Sequence, residues 1–130
     1  MVDSCPFCAR IAAGQVEAAN DLACAFFDGF PVSPGHLLVV PRRHEPDFFQ
    51  LNRDEQVAVL DLLNEMRARL AESHRPDAFN LGLNSGPAAG QTVGHAHVHL
   101  IPRFHGDVQD PRGGVRWVLP AKADYWSRRG

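Results

Sequence analysis

The segment GHAHVHLIPR, Gly94 to Arg103, constrains this chain more than any other: it sets His95, His97 and His99 at strict two-residue spacing inside an otherwise apolar run. A period of two belongs to a β-strand. It sends Ala96, Val98 and Leu100 to one face of a pleated ribbon and the three imidazoles to the other, successive rings lying roughly 6.8 Å apart at about 3.4 Å rise per residue. The expectation is a strand over His95 to Pro102 with chemistry on one face. HxHxH alone is compatible with metal chelation or with a His-tolerant strand, so the neighbouring residues must decide.

Other elements follow from spacing. Helix is expected from Cys8 to Ala13, stopped by Gly14, with loop to Asp21. Leu22–Phe27 and His36–Val40 read as strands joined by DGFPVSPG, whose prolines and glycines mark a turn. LNRDEQVAVLDLLNEMRARLAE reads as the long helix, capped by Asn52 with Glu55 three residues on. Val57, Leu60, Leu63, Met66 and Leu70 are taken as its core stripe. Arg75 and Pro76 break the pattern, Ala78–Asn84 reads as a strand, and Val115–Leu119 as a short strand or a docking arm. Strands interrupted by one long helix indicate an α+β architecture with the helix packed across a sheet. Trp117, Tyr125 and Trp126 in a polar tail hint at a subunit interface or close the monomer's own core.

A chain of 130 residues is expected to form one domain. Net charge is −2 with 22% charged residues, and no run of like charge is longer than a pair such as Arg42–Arg43 or Arg128–Arg129. That leaves no basic footprint for polymeric nucleic acid. MVDSCPFCAR has neither a basic leader nor an apolar core, and no apolar run reaches a membrane span, so a cytoplasmic protein without a membrane partner is expected.

Three cysteines argue against a disulfide framework. Cys24, in ACAFF, reads as a buried thiol. Cys5 and Cys8 form CPFC, either a redox pair or half of a zinc site. Redox pairs follow a strand that delivers them to a helix N-terminus, and only four residues precede Cys5. A zinc site needs two more ligands, which His44 of PRRH and His95 could supply. Zinc ligation and a plain pair of thiols both remain open on the residues alone.

The loop before the histidines, with Asn84, Ser85, Gly86, Gly90, Gln91 and Thr92, offers backbone N–H groups, amides and a hydroxyl to an anion. It matches no P-loop or dinucleotide fingerprint, and by spacing alone a plain loop is the better reading until its position ahead of three histidines is considered. A neutral imidazole is a competent nucleophile at phosphorus near pH 7, its ordinary pKa being about 6.5.

His95 to Ile101 resembles the HxHxHxx signature of the histidine triad (HIT) superfamily of nucleotidyl hydrolases and transferases. FDGFPVSPGHLLVVPRRH (27–44) is similar to that family's strand pair, LNSGPAAGQTVGHAHVHLIPR (83–103) to its catalytic loop and strand, and CPFCARI to the opening of its zinc-containing bacterial branch. GGVRWVLP continues the likeness more loosely. The resemblance implies a single HIT domain over 1–130: an antiparallel sheet of about five strands with one long helix, in a homodimer. Residues 1–14 would be a zinc-associated segment and 104–130 a tail.

It further implies that His97 attacks the α-phosphorus of a nucleotide, forming a nucleotidyl-histidine intermediate that water hydrolyses, and that His99 binds phosphate oxygens and stabilises the leaving group. Asn84, Gln91 and Thr92 would contact phosphates, Asp28 the ribose hydroxyls, and Phe7 and Phe27 the nucleobase. His36 would support the triad strand. Cys5, Cys8, His44 and His95 would hold a closed, structural zinc, with no catalytic metal required. Gly94, Gly29 and Arg10 depart from the family pattern, Arg10 at an apolar position of the purine pocket. The zinc-type N-terminus and short tail favour the Hint-like reaction, hydrolysis of purine nucleoside phosphoramidates such as AMP-lysine. The alternatives are a Fhit-like dinucleoside polyphosphate hydrolase, a nucleotide-binding regulator without turnover, and a module using all three histidines for metal.

Overall fold

A computed structural model describes residues 4–127. The pair Arg128–Arg129 and the outermost residues of the N-terminal segment and the tail lie outside them. In chain order the elements are α1 (Pro6–Ala12), β1 (Ala18–Ala19), β2 (Ala23–Phe27), β3 (Leu37–Pro41), α2 (Arg53–Ser73), β4 (Ala78–Leu83), β5 (Val98–Arg103) and α3 (Pro120–Ala123). The strands form one antiparallel sheet in the order β1-β2-β3-β5-β4. The expected α+β class and strand count hold, the fifth strand being two residues of a segment read as loop.

The central strands are buried on both faces. Alternation sends Ala23, Ala25, Leu37, Val39, Val98 and Leu100 against Val59, Leu62, Leu63, Met66 and Leu70 of α2. The opposite residues, Cys24, Phe26, Leu38 and Val40, meet Cys5, Phe7 and Cys8 at the start of the chain. The sheet is thus sandwiched between the long helix and a short one. Each fully buried Leu or Val contributes roughly 1.5–3 kcal/mol relative to exposure, so burial of this face is a large part of what holds α2 on the sheet.

The cap on α2 forms as expected. Asn52 Oδ1 accepts the Glu55 N–H at 2.8 Å and Glu55 Oε1 accepts the Asn52 N–H at 3.0 Å. The core stripe does not: Val57 and Leu60 are exposed, and Val59 and Leu62 are buried in their place. The true face begins at Glu55, which is 4% exposed because Arg43 grips both of its oxygens at 3.0 Å. That pairing holds the Glu55 carboxyl below its ordinary range, more than offsetting burial.

Three further expectations are corrected. α1 begins at Pro6 rather than Cys8, because Pro suits a first helical position and Cys5 Sγ accepts the Cys8 N–H at 3.4 Å as the cap. β5 begins at Val98, three residues late: its ladder to β3 starts at Val39–Val98, and the extended run before it is tied down elsewhere, the Ala96 N–H donating to the Glu45 carbonyl at 2.7 Å. Gly114–Val118 is a 3₁₀ turn rather than a strand, entered through Gly113 at φ +94°, so this stretch coils back on itself instead of extending. Trp117 and Trp126 pack edge to face at 6.5 Å.

Candidate active site and metal centre

The loop from Asn84 to Gly94 turns on Gly86 and Gly90, at φ +93° and +97°, a conformation Gly adopts without strain. Gln91 staples it. Its Oε1 accepts the Gly86 N–H at 2.8 Å, and its Nε2 donates to the Pro46 carbonyl at 2.8 Å and the Val93 carbonyl at 3.1 Å. The amide expected at a phosphate is therefore occupied in shaping the loop.

All three triad rings lie on the α1 side of the sheet, as the alternation requires: Phe7 meets His95 and His97 edge-on at 5.9 and 5.1 Å, and His97 meets His99 at 5.1 Å. Hydrogen bonds fix their tautomers. His97 Nδ1 lies 2.9 Å from the His95 carbonyl oxygen, which can only accept. Nδ1 therefore carries the hydrogen and Nε2 keeps its lone pair. His36, 3% exposed, accepts the Val32 N–H at Nδ1 at 3.1 Å, so its hydrogen sits on Nε2 and points at His99 Nδ1, 2.9 Å away. His99 is thereby left with its hydrogen on Nε2. Asp28 Oδ2 lies 3.4 Å from the same His36 nitrogen, while Asp28 Oδ1 accepts the Phe30 N–H at 2.8 Å. Burial pushes the pKa of His36 down against the pull of Asp28, and burial with the neighbouring His97 and His36 pushes that of His99 down.

His97 and His99 open into a cavity of about 390 Å³ whose wall includes Phe7, Asp28, Asn84 and Thr92, within the size range of small-ligand sites. The fold thus gathers six of the eight residues expected at a nucleotide. Phe27 is not among them; it lines a neighbouring cavity with His36, Gly35 and His74. Gln91 acts from behind the loop. Arg10, Phe30, Leu38 and Val93 also line the first cavity. Arg10, already singled out by the family resemblance, stands one helical turn after Phe7 on the same helical face, but Leu38 and Val93 arrive through strand register and loop path, which no local pattern reports.

Below the triad, Cys5, Cys8, His44 and His95 place their ligand atoms within 4.8 Å of one another. Cys5 Sγ is 3.5 Å from His95 Nδ1, and Cys8 Sγ is 3.4 Å from His44 Nδ1 and 3.6 Å from His95 Nδ1. A tetrahedral zinc with ordinary bond lengths would set sulfur and nitrogen ligands about 3.6 Å apart. The donor set therefore fits a closed structural zinc site. His95 Nε2–H donates to the Pro41 carbonyl at 2.8 Å, which turns Nδ1 toward the thiols. Burial raises the Cys5 thiol pKa and lowers that of His95. The redox reading lacks a sulfur–sulfur pair isolated from other ligands.

The HIT domain family model matches residues 12–106. An uncharacterized HIT-like protein of Mycoplasma genitalium is 37% identical over 105 residues, covering 78% of this chain and 74% of its own length. An Arabidopsis thaliana protein named as a bifunctional bis(5'-adenosyl)-triphosphatase and adenylylsulfatase is 36% identical over 95 residues, 73% of this chain and 53% of its own. The crystal structure of a zinc-bound histidine triad family protein from Mycobacterium smegmatis superposes with a TM-score of 0.73 at 29% identity, over 82% of this chain and 80% of that one. With a family model matched over most of its length and two of its three triad histidines, His97 and His99, lining one cavity, the chain belongs to the HIT domain family.

Proposed function

We propose that this chain hydrolyses nucleoside 5'-phosphate conjugates at the α-phosphorus through His97. The observation that carries this is the tautomer lock: Nδ1–H bound to the His95 carbonyl leaves the lone pair on Nε2 of a ring that lines the cavity. His97 Nε2 forms a bond to the α-phosphorus as the bond to the leaving group breaks and its electron pair departs with that group. Water then attacks the same phosphorus and loses a proton to solvent, the P–N electron pair returns to His97 Nε2, and the nucleoside monophosphate is released. Asn84 and Thr92 are assigned to phosphate oxygens and Asp28 to the ribose. Cys5, Cys8, His44 and His95 are assigned to a structural zinc, which would tie α1 to the triad and take no part in these steps.

His99 bears on the leaving group. Held neutral by His36 and by its depressed pKa, it can donate a hydrogen bond from Nε2, whereas becoming imidazolium would set an Nδ1–H against the His36 N–H. A phosphate or nucleotide departs as a stable oxyanion and needs only that hydrogen bond; an amine needs a proton. This supports phosphoanhydrides as substrates, in keeping with the triphosphatase name of the Arabidopsis relative. The phosphoramidate reading rests on the zinc-type N-terminus and is the second choice.

The test is steady-state turnover of diadenosine and diguanosine tetraphosphate beside the corresponding phosphoramidates, for wild type and His97→Ala, with acid-quenched trapping of a nucleotidyl-protein adduct. Phosphoanhydride turnover abolished by the substitution, with an adduct on wild type alone, is expected. Faster phosphoramidate turnover would reverse the order of the two substrates. Binding of nucleotide without turnover of any substrate would make the protein a regulator and overturn the proposal.

A further inference from the structure

Arg10 is the one cation in the wall of the triad cavity, among otherwise apolar or neutral neighbours apart from Asp28 and the two histidines. Its guanidinium is held on two sides: Nη1 donates to the Phe27 carbonyl at 2.8 Å, and the plane lies over the Phe26 ring, 4.3 Å from its centroid. Among the described residues no carboxylate is ion-paired with it. A guanidinium fixed by a carbonyl and a ring face, with most of its donors uncommitted, is a preorganised fork.

Its position along the cavity follows from the chain. Arg10 is bonded to the residue directly before Asp28, one helical turn from the Phe7 ring that abuts His97. A nucleotide is ordered phosphate, ribose, base. With phosphorus at His97 and ribose at Asp28, the next group to reach the Arg10 end is the base. This assignment rests on the nucleotidyl reading above.

We infer that Arg10 selects the base, reading a 6-oxopurine, guanine or hypoxanthine, over adenine. The O6 and N7 acceptors of a 6-oxopurine match the fork of an arginine, whereas adenine presents one acceptor beside an amino donor that Arg cannot satisfy. A bidentate pair of this kind discriminates by roughly 5- to 150-fold. Because the contact is to O6 and N7, the 2-amino group of guanine is not read, and inosine nucleotides behave as guanosine ones.

The experiment is calorimetric titration of the His97→Ala protein with GMP, IMP and AMP, and competition of kcat/KM between guanosine, inosine and adenosine substrates for wild type, Arg10→Ile and Arg10→Lys. GMP and IMP are expected to bind alike and at least fivefold more tightly than AMP, with the preference appearing in KM. Arg10→Ile and Arg10→Lys are expected to bring the guanosine-to-adenosine ratio toward one. Equal affinity for all three nucleotides on the parent protein would overturn the base assignment while leaving nucleotidyl transfer intact, whatever the variants do. A preference for GMP over IMP would overturn it by placing recognition on the 2-amino group. Binding of none of them would overturn both readings.

Discussion

A neutral imidazole donates at one nitrogen and accepts at the other, and in this site the choice is made for each ring by a group that has no choice of its own: a carbonyl for His97, an amide N–H for His36. The chain from Val32 through His36 to His99 passes the decision on. The cost falls on acid stability. His36 and His99 both have folded-state pKa values below the ordinary value of about 6.5, chiefly through burial. A depressed histidine contributes stability that is complete above the unfolded pKa and lost as pH falls through the folded one. Urea midpoints are therefore expected to be flat between about pH 7 and 8 and to decline below about 6.5, with a shallower decline in His99→Gln. A midpoint that rises on acidification would contradict the neutral network.

The long helix shows how one residue can misdirect a pattern. The stripes through Val57 and Leu60 and through Val59 and Leu62 share Leu63, Met66 and Leu70, so hydrophobicity alone does not choose between them over the first two turns. The choice is made by Glu55, a carboxylate that occupies the core-facing start because it closes the capping box and receives Arg43. A polar residue buried by its partners is invisible to a count of apolar positions. Leu62→Ala is expected to destabilise by about 2–5 kcal/mol, and Leu60→Ala by no more than about 0.5 kcal/mol. Equal losses in chemical denaturation would mean the helix presents both faces to an apolar neighbour.

In the whole molecule, α1 and its cap carry two of the four metal-site residues, Cys5 and Cys8, interleaved with Phe7 and Arg10 of the cavity wall. The proposed zinc would then act on the site only by holding this helix down. Stripping metal with a strong chelator is expected to lower the melting temperature and raise KM while turnover at saturating substrate persists. Loss of kcat with the fold intact, by circular dichroism, would make the metal catalytic. At the other edge of the sheet, no described strand pairs with the outer side of β4, and Leu81 there is half exposed. Such an edge is a template for another strand. We propose that a second copy of the chain covers it; sedimentation should give the dimer mass at micromolar concentration, and a monomer would exclude this use of the edge. No helix among the described residues is long and apolar enough to cross a membrane.

Short-range physics was legible in the residues themselves. The two-residue period of the histidines, the capping pair Asn52 and Glu55, the cysteine spacing and the glycine-rich loop each encode a local geometry, and they implied the strands and the long helix; the metal cluster and the nucleophile came from the family resemblance. What lay beyond the sequence was set by contacts between segments far apart in the chain. Tautomers depend on which carbonyl or N–H a ring meets, so His36 and His99, 63 positions apart, could be assigned only once β3 and β5 were paired in register. Gln91 reaches the Pro46 carbonyl, 45 positions away in the chain, and Phe27 lines a different cavity from Phe7 because β2 packs its successive side chains on opposite sides of the sheet. A side chain's partners are a property of the assembled surface, and that surface exists only after the chain has folded.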